Sequence, residues 1–254
     1  MGVIMEVTEH VAAIRRDGAL LAEAAAAAGW DAAVPPCPEW RVRDLVRHTG
    51  GVHRWAATYV REARDKPMED DEVDRVMAPP EDDGELLGWF REGYARLADT
   101  LAAAPPDLKC WSFLPAPTPL EFWARRQAHE TAIHRADAQS AGGAITPYPP
   151  EHAADGLDEL LLGFASRRKG RLRADPPRSF ALHATDLGAD WLVRVQPDRI
   201  EVAHQPGEAD WWVSGSASDL YLLLWNRRGP QGLETHGDPQ LLELWRASVR
   251  VRWS

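Results

Sequence analysis

"QAHETAIHRADAQ", residues 127–139, is the stretch whose reading decides the fold. Within the segment 120–141, Trp123, Gln127, Glu130, His134, Asp137 and Ala141 recur at intervals of four and three. On a helix those positions share one face. The spacing therefore predicts a helix over 120–141 with this stripe turned toward a core. At the centre of the stripe stand a carboxylate and an imidazole one turn apart, Glu130 and His134, with His129 beside them. An unpaired charge in a core is costly. Either the face is solvated, or a second helix brings a partner.

Residues 40–63 supply a candidate. Leu45, His48, Val52, Trp55 and Tyr59 form an apolar stripe at the same spacing, with His48 as its strongly polar member. His53 falls on another face, as His129 does in the later helix. If the two helices pack together, His48, Glu130 and His134 converge. Two imidazoles and a carboxylate are three ligands for a divalent cation, with a fourth position left for water or substrate. Facing helices of a bundle commonly build such sites. An E-x-x-x-H pair and a core histidine are also common without any metal, so on residues alone both readings stand.

Further outward, two more helices appear. "VTEHVAAIRRDGALLAEAAAAAG" is rich in Ala and Leu and stops at Gly29, and a third helix runs over 85–104 to "PPD". The polar segment 65–83 reads as a loop, and "KCWSFLPAPTP" as irregular chain. Four amphipathic helices separated by breaks predict a four-helix bundle. "ITPYPPEH" reads as a linker. After it come a helix at 153–166, the strand-like runs "RSFALHAT", "DWLVRVQ", "RIEVAHQ" and "ADWWVSG", then helices in "SASDLYLLLWNR" and "DPQLLELWRASVR". The expected class is α+β, with a bundle over 1–147 and a smaller α+β domain over 148–254. Ser216 with Asp219 reads as a helix cap rather than a phosphate loop.

Composition narrows the function. Net charge is −10, with 39 acidic against 29 basic residues, the opposite of a nucleic-acid-binding footprint. Cys37 and Cys110 cannot make a disulfide framework. Cys37 lies three helical turns before His48 and reads as a small buried residue rather than a ligand or nucleophile. Without an apolar run of about 18 residues or a signal-like start, the expectation is a cytoplasmic protein with no membrane partner. Of the twelve tryptophans, Trp89, Trp123, Trp225 and Trp245 fall on helical apolar stripes and read as core, and the Trp211–Trp212 pair as one residue in and one out of a strand.

"CPEWRVRDLVRHTGGVHRW", residues 37–55, resembles the mycothiol-dependent maleylpyruvate isomerase family, whose N-terminal domain is a DinB-like metal-binding four-helix bundle. The family pattern has a tryptophan before a helix, a DLV-x-H segment with one metal ligand, and a later E-x-x-x-H-R-x-D with two. The matching positions are His48, Glu130 and His134, followed by Arg135 and Asp137. "DLYLLLWNRR" and "GDPQLLELW" are similar to the family's smaller domain. The resemblance implies a divalent metal such as zinc, and mycothiol or a similar small thiol as cofactor. It also implies cis–trans isomerisation by thiolate addition, bond rotation and thiolate departure. The same bundle would serve S-transfer to another small electrophile. Arg227 and Arg228 are candidates to orient substrate carboxylates, with Arg125 and Arg126 as further ones. The competing expectation is a non-catalytic, metal-containing binding protein. In either case the partners are small molecules, and the chain is a monomer or homodimer.

Overall fold

The structure, a computed structural model, describes residues 5–167 and 170–249. The chain forms two compact units, one spanning Glu6–Thr146 and the other beginning at Pro147.

The first unit is a bundle of α1 (Val7–Ala28), α2 (Val42–Glu62), α4 (Asp83–Ala103) and α5 (Pro119–Gly142), with a short α3 (Asp70–Met77) between α2 and α4. Each main helix begins on an oxygen that accepts an otherwise orphaned backbone N–H. Glu9 takes the amide of Glu6, Asp44 that of Arg41, Asp82 that of Gly84, and Thr118 that of Glu121. Pro119 opens α5, and Gly143, at φ +103°, closes it by donating its amide to the Gln139 carbonyl. Helix α5 packs along α1 and α2, and α4 packs along α1 and α2. Leu21, Leu45, Val46, Leu86 and Phe90 fill the centre of this core.

Two expectations are corrected here. The segment 65–83 is not all loop, because α3 lies within it. Asp70, Asp71 and Glu72 in its first turn favour the helix N-terminus, and Arg64 ion-pairs with Glu72. The chain also packs there against α2, where Met77 lies beside Gly51. Helix α5 does not present a single inward stripe. From Arg126 to Ala138 every residue is buried. A helix with this many polar groups can be buried because its ionic groups find partners. Arg135 pairs with Asp17 of α1 at 3.3 Å and donates to the Thr146 carbonyl, and Arg126 pairs with Glu130.

The second unit opens with α6 (Pro150–Asp158), continued by a π-helical segment, Glu159–Ala165. Strands β1 (Arg178–Ala184), β2 (Ala189–Val195) and β3 (Ile200–Ala203) form an antiparallel meander. Strand β4 (Trp211–Gly215) lies on the other side of β1, parallel to it, and β5 (Glu234–Gly237) closes the edge in the order β3-β2-β1-β4-β5. Helix α7 (Ala217–Leu224), capped by Ser216 Oγ accepting from the Asp219 amide, packs on β1, β4 and α6. In α8 (Gln240–Ser248), Trp245 sits against Phe180 and donates its indole N–H to the Leu224 carbonyl. The helix expected to run to residue 250 ends at Ser248, with Val249 already outside it, and 250 lies outside the described residues. Trp211 is buried and Trp212 half-buried, as alternation along a strand requires. No helix among the described residues is long and apolar enough to cross a membrane.

Candidate metal centre

Helices α2 and α5 bring His48, Glu130 and His134 together, although His48 precedes Glu130 by 82 residues. Glu130 Oε1 lies 3.3 Å from His48 Nε2 and 3.1 Å from His134 Nε2. The two imidazole rings stand 5.1 Å apart and nearly perpendicular. The ligand atoms of all three residues fall within 4.8 Å of one another. Glu130 and His134 are buried, and His48 sits at the half-buried margin, 13% exposed in its side chain. Trp40, just ahead of α2, lies across that margin, 4.9 Å from the His48 ring and 6.0 Å from that of His134.

The surrounding groups hold the cluster in place. Arg126 Nη2 donates to Glu130 Oε2 at 3.2 Å, which leaves Oε1 turned to the two histidines. His134 Nδ1 lies 2.9 Å from Asp137 Oδ2. Burial pushes the Glu130 carboxyl up, but His134, His48 and Arg126 hold it well below the usual carboxylate range. Burial likewise disfavours a charged His134, but Glu130 and the Asp137 hydrogen bond carry it up to about 9. The carboxylate and the imidazole thus each favour the other's charged form.

The donor set fits a divalent cation. With bonds of about 2.0–2.1 Å, neighbouring donors in a tetrahedral zinc shell sit about 3.3 Å apart, close to both separations seen here. Two imidazole nitrogens and one carboxylate oxygen are donors that first-row divalent ions, zinc among them, accept.

The other sequence candidates divide between the two units: Arg126 belongs to α5, and Arg227 and Arg228 to the second unit. Arg227 and Arg228 follow α7: Arg227 donates to the Trp225 carbonyl, and Arg228 ion-pairs with Asp219 in the first turn of α7 and donates to the Gly229 and Gln231 carbonyls. Arg126 is buried against Glu130. Cys37 is half-buried with Sγ 3.9 Å from Asp137 Oδ2, and neither cysteine is in a disulfide. His53 is fully buried, and its Nε2 is bonded within the bundle. Thr131 Oγ1 donates to the Gln127 carbonyl, so it accepts from His53 Nε2–H at 2.9 Å. His129 faces His10 of α1, ring centroids 6.0 Å apart. Sequence reading missed Arg126 as the carboxylate's partner, since an i, i+4 Arg–Glu pair reads first as a surface salt bridge.

A helical bundle with an inward His–His–Glu cluster, followed by a small mixed-sheet domain, defines a class of bundle proteins built around a candidate metal centre. The profile of the mycothiol maleylpyruvate isomerase N-terminal domain matches residues 11–139, and that of the corresponding C-terminal domain matches 151–244. The chain belongs to the mycothiol-dependent maleylpyruvate isomerase family. A crystal structure of the mycothiol-dependent maleylpyruvate isomerase is similar at TM-score 0.60 and 14% identity, covering 91% of this chain and 93% of that one. A histidine-to-alanine variant of that enzyme is similar at TM-score 0.62 and 15% identity over the same shares. No curated protein matches the chain.

Proposed function

We propose that His48, Glu130 and His134 hold a divalent cation, zinc by donor type, and that the chain is a cytoplasmic enzyme using mycothiol or a similar small thiol. The reaction is isomerisation of a small unsaturated acid or S-transfer to a related electrophile. The observation that carries this reading is the single carboxylate oxygen, Glu130 Oε1, facing two imidazole Nε2 atoms at 3.3 and 3.1 Å. Family membership supports it, because the matching profiles are named for this isomerase.

When bound, such a cation would favour thiolate over thiol at neutral pH, which supplies the nucleophile. The residues of this chain do the rest. Glu130 brings the one full negative charge in the ligand set, and Arg126 restrains its second oxygen, keeping the carboxylate oriented toward the histidines. Trp40 and the half-buried His48 form the margin, so thiol and electrophile enter on that side, and the indole limits access of water. Arg227 and Arg228 belong to the same proposal as groups that orient substrate carboxylates.

Elemental analysis of wild type beside His48→Ala tests the reading. The expected result is about one equivalent of zinc in wild type, lost in the variant together with thiol-dependent turnover of maleylpyruvate, while the helical circular dichroism is kept. Absence of metal from the wild type after reconstitution would overturn it.

A further inference from the structure

We infer that Asp137 is a positioning residue: its carboxylate fixes the His134 ring so that Nε2, and not Nδ1, is presented to a cation held with Glu130 and His48. This inference rests on the metal reading above and adds the residue that selects the donor atom.

An imidazole offers two nitrogens, and the hydrogen bond made by one decides which is left to bind. His134 and Asp137 are three apart on α5, so their side chains meet on one helix face. Asp137 Oδ2 lies 2.9 Å from His134 Nδ1. An ionised carboxylate only accepts, so the proton of that bond resides on Nδ1. The opposite nitrogen, Nε2, then points at Glu130 Oε1, 3.1 Å away. Asp137 is fully buried and His134 6% exposed, so neither has solvent to replace the other. Turning the ring would break this buried hydrogen bond with no solvent at hand to replace it, which holds the ring in place. Cys37 Sγ approaches the same oxygen at 3.9 Å, and a thiol is too weak a donor to replace the imidazole N–H.

Helix α5 thus carries two ligands and a fixed outer partner for each, Arg126 for Glu130 and Asp137 for His134. The α2 ligand, His48, approaches from the half-buried margin. The cation site is preorganised on one helix and completed by the other.

The test uses full-length zinc-loaded protein with ¹⁵N-labelled histidine. Long-range ¹H–¹⁵N spectra of wild type should show His134 with a protonated Nδ1 and a zinc-bound Nε2. Zinc affinity is then compared by chelator competition, at the high-pH limit where protons no longer compete, between wild type and Asp137→Asn. The isosteric variant should bind about 10–100-fold more weakly, and its His134 Nδ1–H resonance should shift or vanish. A purely structural role for Asp137 would leave that resonance in place. Zinc on Nδ1 of wild-type His134, or an unchanged affinity in the variant, would overturn the positioning role alone. A wild type that binds no zinc would remove the metal reading and this inference with it. The wild-type spectrum decides the matter even if the variant does not fold.

Discussion

Gly50 lies on α2 two residues after His48, where α2 meets α4. A Cβ built there would overlap Trp89 Cζ3 of α4, with Cε3 and Cη2 both 2.9 Å away. The indole has little room to retreat, because the Arg54 guanidinium lies 3.9 Å above its ring and is itself held by the Gly50 and Trp89 carbonyls. Replacing a helical glycine by alanine ordinarily stabilises by about 1 kcal/mol. Overpacking a tight contact costs about 1–3 kcal/mol, and an overlap this deep belongs in the upper half of that range. Gly50→Ala should therefore lose about 1–2 kcal/mol net. Gly88, on the exposed face of α4, is the control, since a Cβ there meets nothing within 4 Å. Gly88→Ala should gain about 1 kcal/mol. The assay is thermal unfolding followed by far-ultraviolet circular dichroism. At about 2–4 °C per kcal/mol for a unit of this size, the two substitutions should move the midpoint in opposite directions. Pushing α2 off α4 also shifts His48, so Gly50→Ala should weaken zinc binding and Gly88→Ala should not. A Gly50→Ala protein as stable as Gly88→Ala would refute the close approach of the two helices.

Burial, opposed by the Glu130 charge and aided by Arg54, lowers His53 to about 3. A depressed folded pKa means that the unfolded chain binds the proton first, so the metal-free protein should lose stability as pH falls from about 6.5 toward 3. Urea unfolding across that window should give a shallower acid limb in His53→Gln, and an identical limb would count against the buried neutral imidazole. In the second unit, the buried Asp158 accepts from the Trp191 indole N–H at 2.6 Å and lies 2.7 Å from His204 Nε2. Asp158→Ala leaves that indole unsatisfied and should cost about 1–3 kcal/mol, whereas Asp158→Asn keeps an acceptor and should cost less. Equal losses in the two variants, measured by urea unfolding, would argue that the carboxylate is not anchoring α6 to the sheet.

Local chemistry set much of this architecture. The four main helices lie where apolar spacing and capping oxygens place them, with Gly29 and Gly143 ending α1 and α5, because those signals act within a turn or two of chain. Trp211 and Trp212 divide between the two faces of β4 for the same local reason. The candidate site was half legible: Glu130 and His134 share a helix face by spacing alone, and His48 stands out on its own apolar stripe. Tertiary structure decided the remainder. Only the packing of α2 on α5 turns His48 Nε2 onto Glu130 Oε1 across 82 residues. Only the complete burial of α5 makes Arg126, which an i, i+4 spacing reads as a surface charge, a partner of Glu130, and only the folded geometry sets Asp137 Oδ2 against His134 Nδ1. Helix α3 forms within a polar, proline-bounded segment because it packs on α2, and β4 takes its place parallel to β1 rather than beside β3. Each of these outcomes depends on groups distant in sequence, and their free energy becomes available only once the chain has closed the loops between them.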